Sequence, residues 1–272
     1  MIASHPGWDD ALLSRVEDAG INASAPPQQR WVDGWLLRYN PGKAKRARCV
    51  QAVAAGRLPL DQRLALCRAV FDAAGLPMVL RITPFSLPSG LDAALADRGY
   101  HRLDDTRVMV NTAPTAQAPA LPAGLSLHRA TPEDFAEVVG ALRGSPAGQR
   151  SAQAERLRAS PVPYQGWLLR QDSLHDDPHG DPHACRVLAC AQTATEADMV
   201  GLYDVFTAPE ARGQGLARRL CSQLLAQAVA AGARSAYLQV EADNAPARAT
   251  YHRLGFADAY AYHYRTPNPD AH

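Results

Sequence analysis

With 272 residues the chain exceeds what one ordinary core needs and is long enough for two domains. Its 47% hydrophobic and 20% charged residues describe a globular protein, and 28 basic against 27 acidic side chains leave a net charge of +1, which gives no support to a nucleic-acid or membrane-surface role. No apolar run approaches the roughly 18 residues that span a bilayer, no basic-then-apolar leader opens the chain, and five cysteines (49, 67, 185, 190, 221) without a CxxC spacing read as reduced thiols of a cytoplasmic protein.

The first element is a helical pattern over 4–20, with Trp8, Leu12, Leu13 and Val16 on one face. Pro26 and Pro27 end it. Trp31 to Tyr39 reads as one strand, closed by the turn signal Asn40-Pro41-Gly42, with Cys49 to Val53 as its partner. Between the two, Lys43, Lys45, Arg46 and Arg48 form a basic cluster. An anion patch is one reading of it; a solvated hairpin edge blunted by lysines is the favoured one. Apolar spacings of three and four predict a helix over 60–74, ended by Gly75. A strand at 78–83, a short helix at 91–98 stopped by Gly99 and a strand at 107–110 complete this half. Residues 112–124 contain three prolines and no charge, a linker composition.

The second half restarts as a strand at 125–129. Thr131-Pro132-Glu133-Asp134 offers an N-cap, a proline at the first helical position and acids in the first turn. Phe135, Val138, Val139 and Leu142 supply that helix's apolar face. A basic helix over 150–159 and strands at 164–170, 186–193 and 199–207 follow. Residues 172–184 hold three histidines and four aspartates, but in a Pro/Gly-rich stretch that fixes no geometry. A zinc site wants about four preorganised ligands, so an exposed loop is the favoured reading and no metal is expected. A helix over 216–231, a strand at 236–241, a helix over 245–254 closed by Gly255 and a strand at 260–264 end the pattern, with a frayed tail.

The halves echo each other. Ala-Ala-Gly at 73–75 returns at 230–232, an offset of 157, and Arg-Gly-Tyr at 98–100 returns as Leu-Gly-Phe at 254–256, an offset of 156. GWLLR occurs at 34–38 and 166–170, and aligning that pair as well would need about 25 extra residues in the second copy. Two copies of one fold are implied. The copies differ where chemistry would sit: Ala55 onward, opposite Arg212, has no paired glycines, Pro59 removes a backbone donor, and Leu95 falls opposite Tyr251 or its neighbour.

The stretch that carries chemistry is Val200 to Leu220. A strand reaches a Pro-Glu turn, then Arg212, Gly213, Gln214, Gly215, Leu216 and Ala217, then a helix. The first amides of a helix lack internal partners and the dipole adds about half a positive charge, so this is an anion site. A nucleotide-binding oxidoreductase would also place phosphate there. The segment reads GxGxxR, however, and five residues separate strand from first glycine where a dinucleotide unit turns at once.

On these residues the second half resembles a GCN5-related N-acetyltransferase (GNAT) domain. The family's phosphate signature, Q/R-x-x-G-x-G/A, is matched by Arg212, Gly215 and Ala217. Its later Asn-x-x-Ala-x-x-x-Tyr-x-x-x-Gly-Phe pattern is matched by Asn244, Ala247, Tyr251, Gly255 and Phe256. The resemblance implies an α/β fold of α+β type: a degenerate GNAT-like domain at 1–113, a linker at 114–124 and a catalytic domain at 125–272, each a mixed, mostly antiparallel sheet flanked by helices. It implies acetyl-CoA as cosubstrate, its pyrophosphate on the amides of 212–217 beside Arg218, and Arg219 facing phosphate charge too. The amide-bearing arm would pair with Val205 and Thr207 and hydrogen-bond to Asn244. Direct acyl transfer to an amine of a small molecule or peptide is implied, with a strand amide of Val205 or Phe206 at the carbonyl oxygen, Tyr251 as acid, and Asp204 or Glu241 as base. A non-catalytic acyl-CoA-binding module is the alternative.

Overall fold

Local chemistry sets the first element. The Asp9 carboxylate accepts the Ala11 amide at 3.1 Å and starts α1 (Asp10–Ala23). The computed structural model describes residues 7–172 and 186–268. The histidine- and aspartate-rich stretch from 173, Cys185 and the tail beyond 268 lie outside the described residues.

Residues 31–39 form a hairpin rather than the single strand expected. β1 (Gln29–Val32) pairs antiparallel with β2 (Trp35–Arg38), Val32 opposite Trp35. Asp33 and Gly34 make the two-residue loop with φ of 42° and 82°. A turn with both central residues at positive φ follows the twist of the strands, and Asp-Gly is the pair that tolerates it. The first half continues with β3 (Val50–Gln51), α2 (Leu60–Ala73), β4 (Leu80–Ile82), α3 (Leu91–Ala96) and β5 (His101–Asn111). The second half comprises β6 (Leu125–Ala130), α4 (Pro132–Leu142), α5 (Ala147–Arg158), β7 (Tyr164–Gln171), β8 (Val187–Glu196), β9 (Met199–Thr207), α6 (Leu216–Ala230), β10 (Ser235–Glu241), α7 (Ala245–Arg253) and β11 (Ala257–Thr266). Thr131 caps α4 by accepting the Asp134 amide at 3.1 Å.

All the strands join one sheet in the order β1-β2-β3-β4-β11-β5-β10-β9-β8-β7-β6. Its middle is an exchange: β5 lies between β11 and β10, while β11 lies between β4 and β5. Among the described residues only β3/β4 and β9/β10 pair in parallel, and in each case a helix (α2 or α6) carries the chain between them. Read outward from the β11/β5 seam, the two directions therefore present the same sequence of elements, and β6 is an addition to the second. This symmetry makes β2 the counterpart of β8 and β1 that of β7. The two GWLLR segments thus fall on β2 and β7, which are not counterparts, and their identity carries no repeat. At the 157-residue offset α2 and α6 both end at Ala-Ala-Gly.

Each face of the sheet has its own core. Alternation along β10 sends Leu238 toward α6 and α7, and Tyr237 toward α1, which packs Leu13, Val16 and Ala19 there. Another cluster, around Trp35, Phe71, Leu80 and Leu95, fills the first half. The linker is tied down: Arg219 donates to the Ala120 carbonyl and Gln223 to that of Pro119, at 3.3 and 2.7 Å. Among the described residues no helix is long and apolar enough to cross a membrane.

Candidate active site

β9 and β10 part company halfway. Their pairing runs from Met199/Ser235 to Leu202/Leu238 and stops. Beyond it β9 stays on β8 as far as Thr207, and β10 stays on β5 as far as Glu241. The cause is visible in β9. Cys190 pairs with Phe206 and Gln192 with Tyr203, so Asp204 and Val205 together face the single residue Ala191. This bulge puts Asp204 at φ 47° and bends the strand away from its parallel neighbour. The edges of both strands are left open to each other.

A cavity of about 670 Å³ occupies the gap. It is lined by Leu202 to Phe206 of β9, Gln239 to Glu241 of β10, Asn244 at the head of α7, and Ala247 and Tyr251 along one side of that helix. The first half closes it with the loop from Asn40 to Arg48, and β5 and β11 contribute Thr106, Tyr262 and Tyr264. The Lys43–Arg48 segment is therefore not a solvated hairpin edge. A short 3-10 turn at Lys45–Ala47 folds it inward, where Arg46 donates to the Tyr262 hydroxyl at 3.3 Å and stands over the Tyr203 ring at 5.7 Å.

The carboxylates named from the sequence differ in situation. Asp204 accepts from Arg143 Nη1 at 2.9 Å and from Gln153 Nε2 at 3.1 Å, which ties the bulge to α4 and α5. Burial pushes its carboxyl up, but Arg143 and Arg156 outweigh that and hold it below the usual aspartate range. Glu241 is exposed at the cavity rim. Tyr251 is 8% exposed, packs edge-on to Phe256 and faces the cavity. Burial, and then Cys221, push its hydroxyl pKa up. Asn244 caps α7, its Oδ1 accepting the Ala247 amide at 3.2 Å. That leaves its NH2 group for another partner.

The glycine turn lies outside the cavity lining, beyond the end of β9. Arg212, Gly213, Gln214 and Gly215 are exposed, whereas Leu216, the first residue of α6, is buried in the core. Gly213 and Gly215 have φ of 78° and 72°, and a Cβ on either would meet no atom within 4 Å. The turn is thus open to solvent, with the first amides of α6 projecting from it. Arg212 stands over the Phe206 ring at 5.7 Å, with Arg143 at 5.3 Å from the same ring. Arg218 is exposed, but Arg219 spends its guanidinium on the linker rather than on the turn.

The counterpart turn in the first half is already filled. The Asp33 carboxylate accepts the amides of Arg57 and Leu58 at 2.9 Å and pairs with Arg63 at 2.9 Å. Those amides fall opposite Gln214 and Gly215 at the 157-residue offset. A carboxylate from the β1–β2 turn thus sits where an anionic ligand would, and Leu95, opposite Tyr251, is a fully buried core residue. The same turn geometry binds an anion in one copy and is open in the other. Sequence reasoning missed Arg143, Gln153 and Tyr262, because each comes from a different element, and it named Arg46 only within a basic cluster whose favoured reading was a solvated edge. The acid-base pairing of Arg143 with Asp204 spans 61 residues.

Comparison with known proteins agrees with this architecture. Residues 133–256 match the model of the acetyltransferase (GNAT) family. An uncharacterized N-acetyltransferase of Bacillus subtilis, YobR, is 26% identical over 252 residues, spanning 87% of this chain and 91% of its own. A solved GCN5-related N-acetyltransferase from Kribbella flavida has a TM-score of 0.64 at 17% identity, covering 94% of this chain and 95% of its own. A tandem GNAT protein from the clavulanic acid biosynthesis pathway has a TM-score of 0.53 at 18% identity, over 77% and 70% of the two chains. At these identities the two structures are similar in fold.

Proposed function

From the premise that the chain belongs to the GCN5-related N-acetyltransferase superfamily and carries an additional N-terminal region, we propose that it moves an acetyl group from acetyl-CoA directly to an amine. The observation that carries this reading is one strand, β9, joining an open anion turn at its end to a gap lined by Tyr251, Asn244 and a bulged edge. The fit to the cosubstrate rests on the first copy, whose matching amides hold a carboxylate.

In this reading the amides of Arg212 to Ala217, with Arg218 alongside, hold the pyrophosphate. The open edge of Val205 to Thr207 and the Asn244 NH2 group hold the amide-bearing arm like an added strand. Acetyl-CoA supplies the acyl group as an activated thioester. The other work falls to the chain. An amide of Val205 or Phe206 stabilises negative charge developing on an oxygen in the gap. Tyr251 holds a proton at neutral pH and delivers it to the departing thiolate. Of the two carboxylates, Glu241 is the base, directly or through a water, because Asp204 is committed to Arg143 and Gln153 and is too weak a base below the usual range. Asp204 then acts as a positioning residue that fixes the bulge. The four described cysteines are buried free thiols, which suits work in the reducing cytoplasm.

Isothermal titration tests the assignment. Acetyl-CoA should bind the native protein, and Gly215→Glu should abolish binding by filling the turn with bulk and negative charge. Normal binding by that variant would place the cosubstrate elsewhere.

A further inference from the structure

We propose that the acceptor amine also carries an anionic group, a carboxylate or a phosphate, and that Arg46 of the N-terminal half recognises it. This rests on the acyl-transfer reading and names the substrate class of the same cavity.

The cavity is lined by six lysines and arginines against three carboxylates. Two of those carboxylates are already spent: Asp104 pairs with Lys45 at 2.7 Å, and Asp204 with Arg143 at 2.9 Å. The third, Glu241, sits at the exposed rim. Arg46 differs from its neighbours. Among the described residues no carboxylate lies within 4 Å of it, and its Nε is buried without a hydrogen-bond partner. Its remaining contacts are aromatic: the Tyr262 hydroxyl and the face of Tyr203. Arg156, 8% exposed on the same wall, likewise stands over an aromatic ring, that of Tyr164, and donates to the Ala23 carbonyl at 3.3 Å. A third guanidinium on this group of tyrosines, Arg81, shows the contrast, because Glu17 closes it.

Asp204 reaches Arg46 and Arg156 only at a distance; a partly desolvated guanidinium without a carboxylate in contact is costly, and ring faces offset only part of that cost. A bound anion completes it, and the planar fork of arginine suits the paired oxygens of a carboxylate or phosphate. The phosphates of the cosubstrate are not that anion: the glycine turn assigned to them is not part of the cavity wall. The basic wall is left for the acceptor. This gives the N-terminal half a task, since its own anion turn is closed by Asp33.

The test uses full-length protein with saturating CoA and matched pairs of amines. α-Amino acids are set beside their amides, and O-phosphoethanolamine beside ethanolamine; binding is read by titration calorimetry, and thiol release is measured with acetyl-CoA. At least one anionic member should bind about tenfold more tightly than its neutral partner, and the pair that does so tells carboxylate from phosphate. Arg46→Met should erase the preference, Arg46→Lys should keep part of it, and acetyl-CoA affinity should stay within about twofold, since the turn is untouched. The inference fails if no anionic member is preferred, or if the preference survives Arg46→Met. Thiol release that is indifferent to acceptor charge would sink this inference and leave acyl transfer standing. Arg46-dependent anion binding without acetyl-CoA binding would overturn the acyl-transfer reading, and with it the acceptor role, while leaving Arg46 as an anion site.

Discussion

In the proposed acyl transfer, Gly215 and Tyr251 divide the labour as single residues. Gly215 sits at φ 72° with open space around it, so its role is conformational as well as steric, and an alanine there costs about 1 kcal/mol of strain without blocking the turn. Only bulk or negative charge closes the site, which is why Gly215→Glu is the informative change. Tyr251 offers a hydroxyl whose pKa burial has raised. The sign follows: the group stays protonated across the neutral range and well into the alkaline one. Tyr251→Phe should lower turnover about 100-fold, the usual weight of a positioned acid, while the KM for acetyl-CoA stays within about twofold. The native pH–rate profile of thiol release should show no falling limb up to about pH 10, because nothing deprotonates the acid there. An unchanged rate in the variant, or an alkaline limb lost with it near pH 8, would remove Tyr251 from this role.

At the scale of elements, the bulge in β9 is the device on which the site depends. It opens the gap to β10, and it is fixed from outside by the Arg143 and Gln153 hydrogen bonds to Asp204. Asp204→Asn keeps the shape but removes the counter-charge of the half-buried Arg143, which should cost about 2 kcal/mol, measured by urea unfolding. The pH dependence has a definite direction. The folded-state pKa of Asp204 lies below its unfolded value, so its contribution is present above the ordinary aspartate pKa of about 3.9 and is lost as pH falls below it. The stability gap between native and variant protein should therefore be full at pH 7 and shrink on acidification below about pH 4. A gap that is constant with pH would mean that the ion pair does not hold the bulge.

At the scale of the whole molecule, the exchange of β5 and β11 means that neither half owns a complete sheet. β10 and β11 of the second half meet only through β5, which pairs with both. Residues 125–272 alone would expose the edges of β10 and β11, the condition that drives misassembly. Expressed by itself, that segment should be insoluble or oligomeric by size-exclusion chromatography. Co-expression with residues 1–113 should restore a soluble complex with native-like circular dichroism. A monomeric, well-folded segment 125–272 would show that the seam is dispensable. The seam also brings the loop with Arg46 onto the cavity of the other half, so residues of both halves line it.

The sequence by itself determined the elements and one motif. Caps such as Thr131, the apolar stripes of α2 and α6, and the Arg212–Ala217 turn are local, and local spacing encodes them. So was the asymmetry of the copies, written in the unpaired glycine after Ala55, where Leu58 stands opposite Gly215. Only the tertiary structure decided what depends on distant partners: that residues 31–39 turn at Asp33-Gly34 so that Asp33 can fill the first copy's anion turn, that GWLLR is no part of the repeat, that Arg143 holds Asp204, and that the basic cluster at 43–48 faces a cavity instead of solvent. The physical reason is the same in each case. A charge is indifferent to its neighbours in sequence and answers to whatever the fold brings within a few ångströms of it.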